Sequence, residues 1–196
     1  MRAARIAGLL ALLMAGALTG CSSGDAAATT TAPLCRSGDG AGNGVIVMAQ
    51  SVPTASWVPC IRTALPLGWS FHHLDARSEV SRFWLDSDRD GQQAIEVRLT
   101  ATCRTGGTTE IPSDRDGMRR LERVRRLDPT YAGERYYLFP GGCLTFVFRL
   151  DGDSPGEALA LSSQAVGTVR RSDLDAQVRA ESHGRLSLDP APRGDG

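Results

Sequence analysis

Four groups of side chains in this sequence have types and spacings that can do chemistry. Asp86-Ser87-Asp88-Arg89-Asp90-Gly91 opens like a calcium loop, in which carboxylates at alternate positions converge on a hard cation and glycine allows the sharp turn. The twelfth position is Val97, however, where a bidentate glutamate belongs, and Glu96 would point to the opposite face of a strand. A solvated hairpin turn between Leu85 and Ile95 explains the same residues and is the expectation, with Asp86, Asp88 and Asp90 kept as a weak metal candidate. Gly68-Trp69-Ser70-Phe71-His72 has the outline of a nucleophile elbow, but His72 stands where the last glycine is required and no helix pattern follows. His72-His73-Leu74-Asp75 offers two imidazoles and a carboxylate for a metal or for proton transfer. Neighbouring side chains on a strand face opposite ways, so the two histidines are not expected to converge.

The fourth group is basic. Arg115, Arg119, Arg120, Arg123, Arg125 and Arg126 crowd one segment in which Met118, Leu121, Val124 and Leu127 can form an apolar stripe. Such a stretch can rest on anionic lipid headgroups or bind an anionic envelope polymer, chiefly through Arg115, Arg119, Arg120, Arg123 and Arg126. A solvated face is the plainer reading: Glu122 and Arg126 have helical i,i+4 spacing, and Asp114, Asp116 and Asp128 dilute the field.

The elements that must position these groups are mostly strands. Val45 to Met48 is continuously apolar and reads as a strand buried on both faces. Arg82 to Leu85 reads as another strand, and Ile95, Val97 and Leu99 alternate with Glu96, Arg98 and Thr100 in a half-buried strand ending near Cys103. Arg135 to Phe139, the turn Pro140-Gly141-Gly142 and Cys143 to Leu150 make a hairpin with Leu144, Phe146, Phe148 and Leu150 on its core face. Ser154-Pro155-Gly156-Glu157 carries an N-cap, a first-turn proline and a capping-box glutamate, predicting a helix to about Val169. A second helix is predicted from Ser172 to His183, stopped by Gly184, with a short final strand at Leu186 to Leu188. Strands first and helices late predict an α+β domain, a mainly antiparallel sheet with one or two helices near the C-terminus.

Four cysteines, Cys35, Cys60, Cys103 and Cys143, punctuate this region without any C-x-x-C or Cys/His pair at zinc spacing, so disulfides rather than metal are expected. Spacing does not choose among the three pairings; order along the chain favours Cys35–Cys60 and Cys103–Cys143.

The fifth cysteine has a different context. Arg2 and Arg5 precede a thirteen-residue apolar run, Ile6 to Leu18, and Leu18-Thr19-Gly20-Cys21 follows. The run is short of the roughly 20 residues needed to span a bilayer, and its charged start and small-residue end are those of an export leader. LTGC matches a lipobox, in which Cys21 becomes the lipidated first residue of the mature chain. The expected organisation is a signal peptide over 1–20, lipidated Cys21 and a flexible tether over 21–34, one globular domain over 35–190 and a disordered tail over 191–196. Without the leader, twenty arginines and no lysine stand against twenty-two acidic residues, a formal charge of −2, which does not suit nucleic acid.

With LTGC, the cysteine-bearing segments AQSVPTASWVPC and RYYLFPGGC, and the intervening FWLDSDRDG, the chain resembles the small uncharacterised membrane lipoproteins of high-GC actinobacteria. The resemblance implies a lipid anchor on the outer face of the cytoplasmic membrane and carries over no functional residue. The expectation for function is a lipid-anchored, extracytoplasmic binding or scaffolding module without a catalytic role or cofactor. The alternative is an envelope hydrolase using His73 and Asp75, or a metal at Asp86 to Asp90.

Overall fold

Period-two alternation builds most of this molecule. In a computed structural model that describes residues 27–29, 31–35, 44–62 and 65–190, the strands and helices follow in the order β1 (Ala27–Thr29), α1 (Gly44–Ser51), β2 (Trp57–Ile61), β3 (Trp69–Arg77), β4 (Val80–Ser87), β5 (Gly91–Thr100), β6 (Thr109–Ile111), β7 (Arg119–Arg126), β8 (Tyr131–Phe139), β9 (Gly142–Leu150), α2 (Pro155–Ala165), β10 (Val166–Arg170) and α3 (Arg171–Glu181). The expected leader over 1–20, Cys21 and the expected tail over 191–196 lie outside the described residues.

Eight strands pair antiparallel in the order β1-β3-β4-β5-β9-β8-β7-β6, while β2 and β10 form a separate two-stranded pair. Phe83 and Leu85 on β4, Ile95, Val97 and Leu99 on β5, and Leu144, Phe146, Phe148 and Leu150 on β9 are all buried on one face. Each such side chain contributes about 1.5–3 kcal/mol of apolar burial, which is why the register is strongly specified. Helix α1 packs on β2, β3 and β4, α2 on β9 and β10, and α3 on β10, so helices and the small sheet close this face. The opposite face carries Arg82, Trp84 and Asp86 on β4, Glu96 and Arg98 on β5, and Thr145 and Arg149 on β9.

The β8–β9 hairpin is where the sequence predicts it, with Phe139 paired to Gly142 across the Pro140-Gly141 turn. Cys35 lies beside Cys60 and Cys103 beside Cys143 at disulfide distance, with Cα separations of 4.9 and 5.7 Å. Ala27–Thr29, which the sequence reading puts in the tether, pairs with β3 at the sheet edge.

Several expectations need correction. Val45 to Met48 is not a strand but part of α1. The buried positions Val45, Met48, Ala49 and Val52 follow helical spacing, which a four-residue apolar run cannot display. The helices are therefore not confined to the C-terminal part. Helix α2 stops at Ala165, because Val166 to Arg170 leaves it to pair with β2. Ser154 makes no side-chain cap, and Glu157 reaches Arg89 at 2.9 Å instead of closing a capping box. No strand forms at Leu186 to Leu188. Leu188 is buried and its N–H donates to Asp175 at 2.7 Å, while Leu186 is exposed.

Candidate ligand-binding groove and the polar sheet face

Helix α2 presents Ala158, Leu161 and Ala165 inward, and this side does not lie flat on the sheet along its whole length. Between α2, the 66–69 turn and the Ser87–Asp90 turn opens a groove of about 780 Å³, whose walls include Leu67, Trp69, Ala160, Leu161 and Gln164. That volume is typical of small-molecule sites. Arg89 and Glu157, both well exposed, form an ion pair between the turn and α2 at the groove. Leu67 is fully exposed beside it.

The Asp86–Gly91 segment supplies one wall of this groove as a hairpin turn, and its carboxylates diverge. Asp86 accepts from the Gln93 N–H at 2.7 Å and meets His72 Nδ1 at 2.9 Å. Asp90, buried, accepts from Ser87 Oγ at 3.0 Å and from the Gly152 N–H at 3.2 Å, while Asp88 is exposed. Asp90 ties this turn to the start of the segment before α2. Among the described residues no group of three His, Cys, Asp or Glu side chains is placed to hold a metal ion, so the candidate at Asp86, Asp88 and Asp90 is not assembled.

The two histidines behave differently from the alternation rule. A register shift between Phe71 and Leu74 inserts a bulge in β3, and the ring centroids of His72 and His73 come within 4.7 Å of each other. His73 stacks on Trp84 with centroids 4.3 Å apart, and the Arg82 guanidinium lies 5.3 Å from the Trp84 ring. Asp75 accepts from Arg82 and Arg77. His73 and Asp75, the pair expected for a hydrolase, thus have separate partners. The imidazole–carboxylate pair that does form is His72 with Asp86, and Ser70 is the residue opposite Asp86 in the β3–β4 register.

From Arg119 onward the arginine-rich segment is strand β7, not a helix, with Arg115 in the loop before it, and its charges divide between the two faces of the sheet. Leu121 is half-buried, and Val124 and Leu127 are exposed, so the apolar stripe does not exist. Inward, Arg120 donates to Glu122, and buried Arg135 donates to Glu122 at 2.5 Å and to Ser163 at 2.8 Å. Tyr137 donates to Asp114 at 2.8 Å, and Arg115 lies over the Tyr137 ring while donating to the Val166 carbonyl. Burial pushes the Glu122 carboxyl up, but the hydrogen bonds from Arg120 and Arg135 outweigh it and hold it below its ordinary value. Asp114 is held low in the same way, by Tyr137 against burial. Outward, Arg123 and Arg125 both grip Glu134, Arg119 pairs with Glu110, and Arg126 donates to the Thr130 carbonyl. The expected Glu122–Arg126 pair is absent because three-to-four spacing has no meaning on a strand.

No family model, curated protein or solved structure matches this chain. The α2 groove was invisible to motif reading, since Trp69, Glu157 and Gln164 meet only through tertiary packing. The polar alternation of β5 marked Arg98 and Thr100 as outward, but not that β9 and β8 would follow it in the sheet.

Proposed function

We propose that this protein is a lipid-anchored, extracytoplasmic module of the cell envelope that binds a ligand without transforming it. The observation that carries the reading is the α2 groove: it has the size of a ligand site, walls of mixed apolar and polar side chains, an Arg89–Glu157 ion pair, and Asp90 held by the Ser87 hydroxyl, with the exposed Asp88 beside them. Paired groups of this kind orient and discriminate a ligand, and each would have to give up its partner to serve as an acid or base. The anchor is supported by the leader and by LTGC ending at Cys21, and the paired cysteines suit an oxidising compartment. No helix among the described residues is long and apolar enough to cross a membrane.

The groove can be tested at Ala160, an exposed position on α2. Ala160→Trp fills the space without entering the core. Affinity capture from solubilised envelope by the wild type, lost with Ala160→Trp at unchanged melting temperature, is the expected result; identical capture by both would reject the groove.

The His72–Asp86 pair with Ser70 favours a second reading, an exposed-face hydrolase in which Asp86 orients His72 through Nδ1 and leaves Nε2 to accept a proton. Hydrolysis of an ester substrate that disappears with both Ser70→Ala and His72→Ala would establish it; activity surviving either substitution removes it.

A further inference from the structure

The mature chain is slightly acidic, yet one part of its outer sheet face is not. Over β5, β9, β8, the 100–104 loop and the Arg123–Arg125 stretch of β7, five arginines, Arg98, Arg104, Arg123, Arg125 and Arg149, meet two carboxylates, Glu96 and Glu134. The formal surplus is three positive charges. Elsewhere on this face Arg77, Arg82, Arg119 and Arg126 stand against Asp75, Asp86 and Glu110, a formal surplus of one, so the excess is concentrated here.

This surplus surrounds a cavity. A pocket of about 300 Å³ is floored by Arg98, Thr145 and Tyr136 and walled by the 100–104 loop with Arg104. The Cys103–Cys143 pair ties that wall to β9. Thr145 is 5% exposed at the floor, and among the described residues its hydroxyl has only sulfur partners, 3.2 Å from Cys103 Sγ and 4.0 Å from Cys143 Sγ. Sulfur is a weak acceptor, so a buried hydroxyl lining a cavity is left with most of its hydrogen-bonding capacity unused. Arg104 is exposed and makes no ion pair among the described residues. Arg98 holds Glu96 through Nε and Nη2. Arg123 is fully engaged with Glu134, Tyr136 and the Gly106 carbonyl and contributes field rather than a free donor.

We propose that this pocket binds a phosphate monoester, seated among Arg98, Arg104 and the Thr145 hydroxyl. A monoester carries about −1.5 to −2 charges near neutral pH and oxygens in a tetrahedral array, which matches a surplus of three guanidinium charges better than a single carboxylate does. The inference deepens the binding-module reading and rests on it for its setting at the envelope. The phosphate belongs to a lipid headgroup or to a glycan.

The test is calorimetric titration of the mature lipoprotein in non-ionic detergent with inorganic phosphate, dihexanoyl phosphatidate and glucosyl phosphate. Inorganic phosphate is expected to bind, more weakly as salt rises, and the tighter of the two esters identifies the carrier. Arg104→Gln and Arg98→Gln are each expected to weaken binding about ten- to a hundredfold, while Arg77→Gln on the balanced part of the face leaves it unchanged. Arg104 has no structural partner to lose, so its variant separates binding from folding, and melting temperatures read on the same samples check this. No heat with millimolar phosphate, or an affinity indifferent to both substitutions, overturns the site. Capture through the α2 groove that persists in that event leaves the module reading intact; loss of groove capture with phosphate still bound removes the groove and keeps this pocket.

Discussion

At the scale of single residues, the arginine-rich segment shows how composition misleads until neighbours are known. Six arginines within twelve residues read as a basic surface, but Arg120 and Arg115 turn inward and Glu122 becomes the counter-ion of Arg135, a residue on another strand with a 7% exposed side chain. Glu122→Gln keeps the shape and removes the charge, leaving Arg135 without its carboxylate. It is expected to destabilise the fold by about 3 kcal/mol in urea unfolding, and adding Arg135→Met should recover part of that. The same carboxylates make stability depend on pH. Glu122, Glu134 and Asp114 all titrate lower in the folded chain than their ordinary values of 4.5, 4.5 and 3.8. Their contribution is complete above those values and is lost as pH falls through the lower folded ones. Melting temperature scanned downward from neutral pH should therefore hold until about pH 4.5 and then fall, with a shallower fall in Glu122→Gln. A melting temperature that rises on acidification would contradict this.

At the scale of elements, legibility followed the length and purity of the pattern. Strand β9 alternates over nine residues and its core face, Leu144, Phe146, Phe148 and Leu150, is readable from the sequence alone. The bulge in β3 is not readable, because nothing local in His72-His73 announces an extra residue; it is a fit to Trp84 across the register. The end of α2 likewise depends on β2, a partner about a hundred residues earlier in the chain. The β8–β9 turn offers a sharp test at this scale. Gly141 has φ +72°, and a Cβ there would collide with the Thr54 carbonyl on the segment after α1, whereas Gly107 has the same φ and open space around it. Gly107→Ala should cost about 1–2 kcal/mol from backbone strain alone. Gly141→Ala should cost clearly more, because the loop carrying Thr54 must also move; equal losses in chemical denaturation would refute that contact.

At the scale of the whole molecule, two cysteine pairs hold the edges of the layered structure, one joining the segment before α1 to β2 and one joining the outer-face loop to β9. Replacing Cys103 and Cys143 with serine opens a loop of 40 residues and is expected to lower stability by about 4 kcal/mol on the chain-entropy account. Thermal unfolding of the double variant checks this, and an unchanged midpoint would show that the pair does not form. The cysteine number and the hairpins were legible because each is a local pattern, whereas the α2 groove and the outer-face pocket arise where strands and helices distant in sequence meet. The proposal that joins these levels is a paired-cysteine domain held at a membrane surface through Cys21. Intact-mass spectrometry of the protein extracted from membranes tests that placement most directly: the account predicts a chain beginning at Cys21 and carrying a diacylglyceryl group, and an unacylated chain, or one retaining residues 1–20, would contradict it.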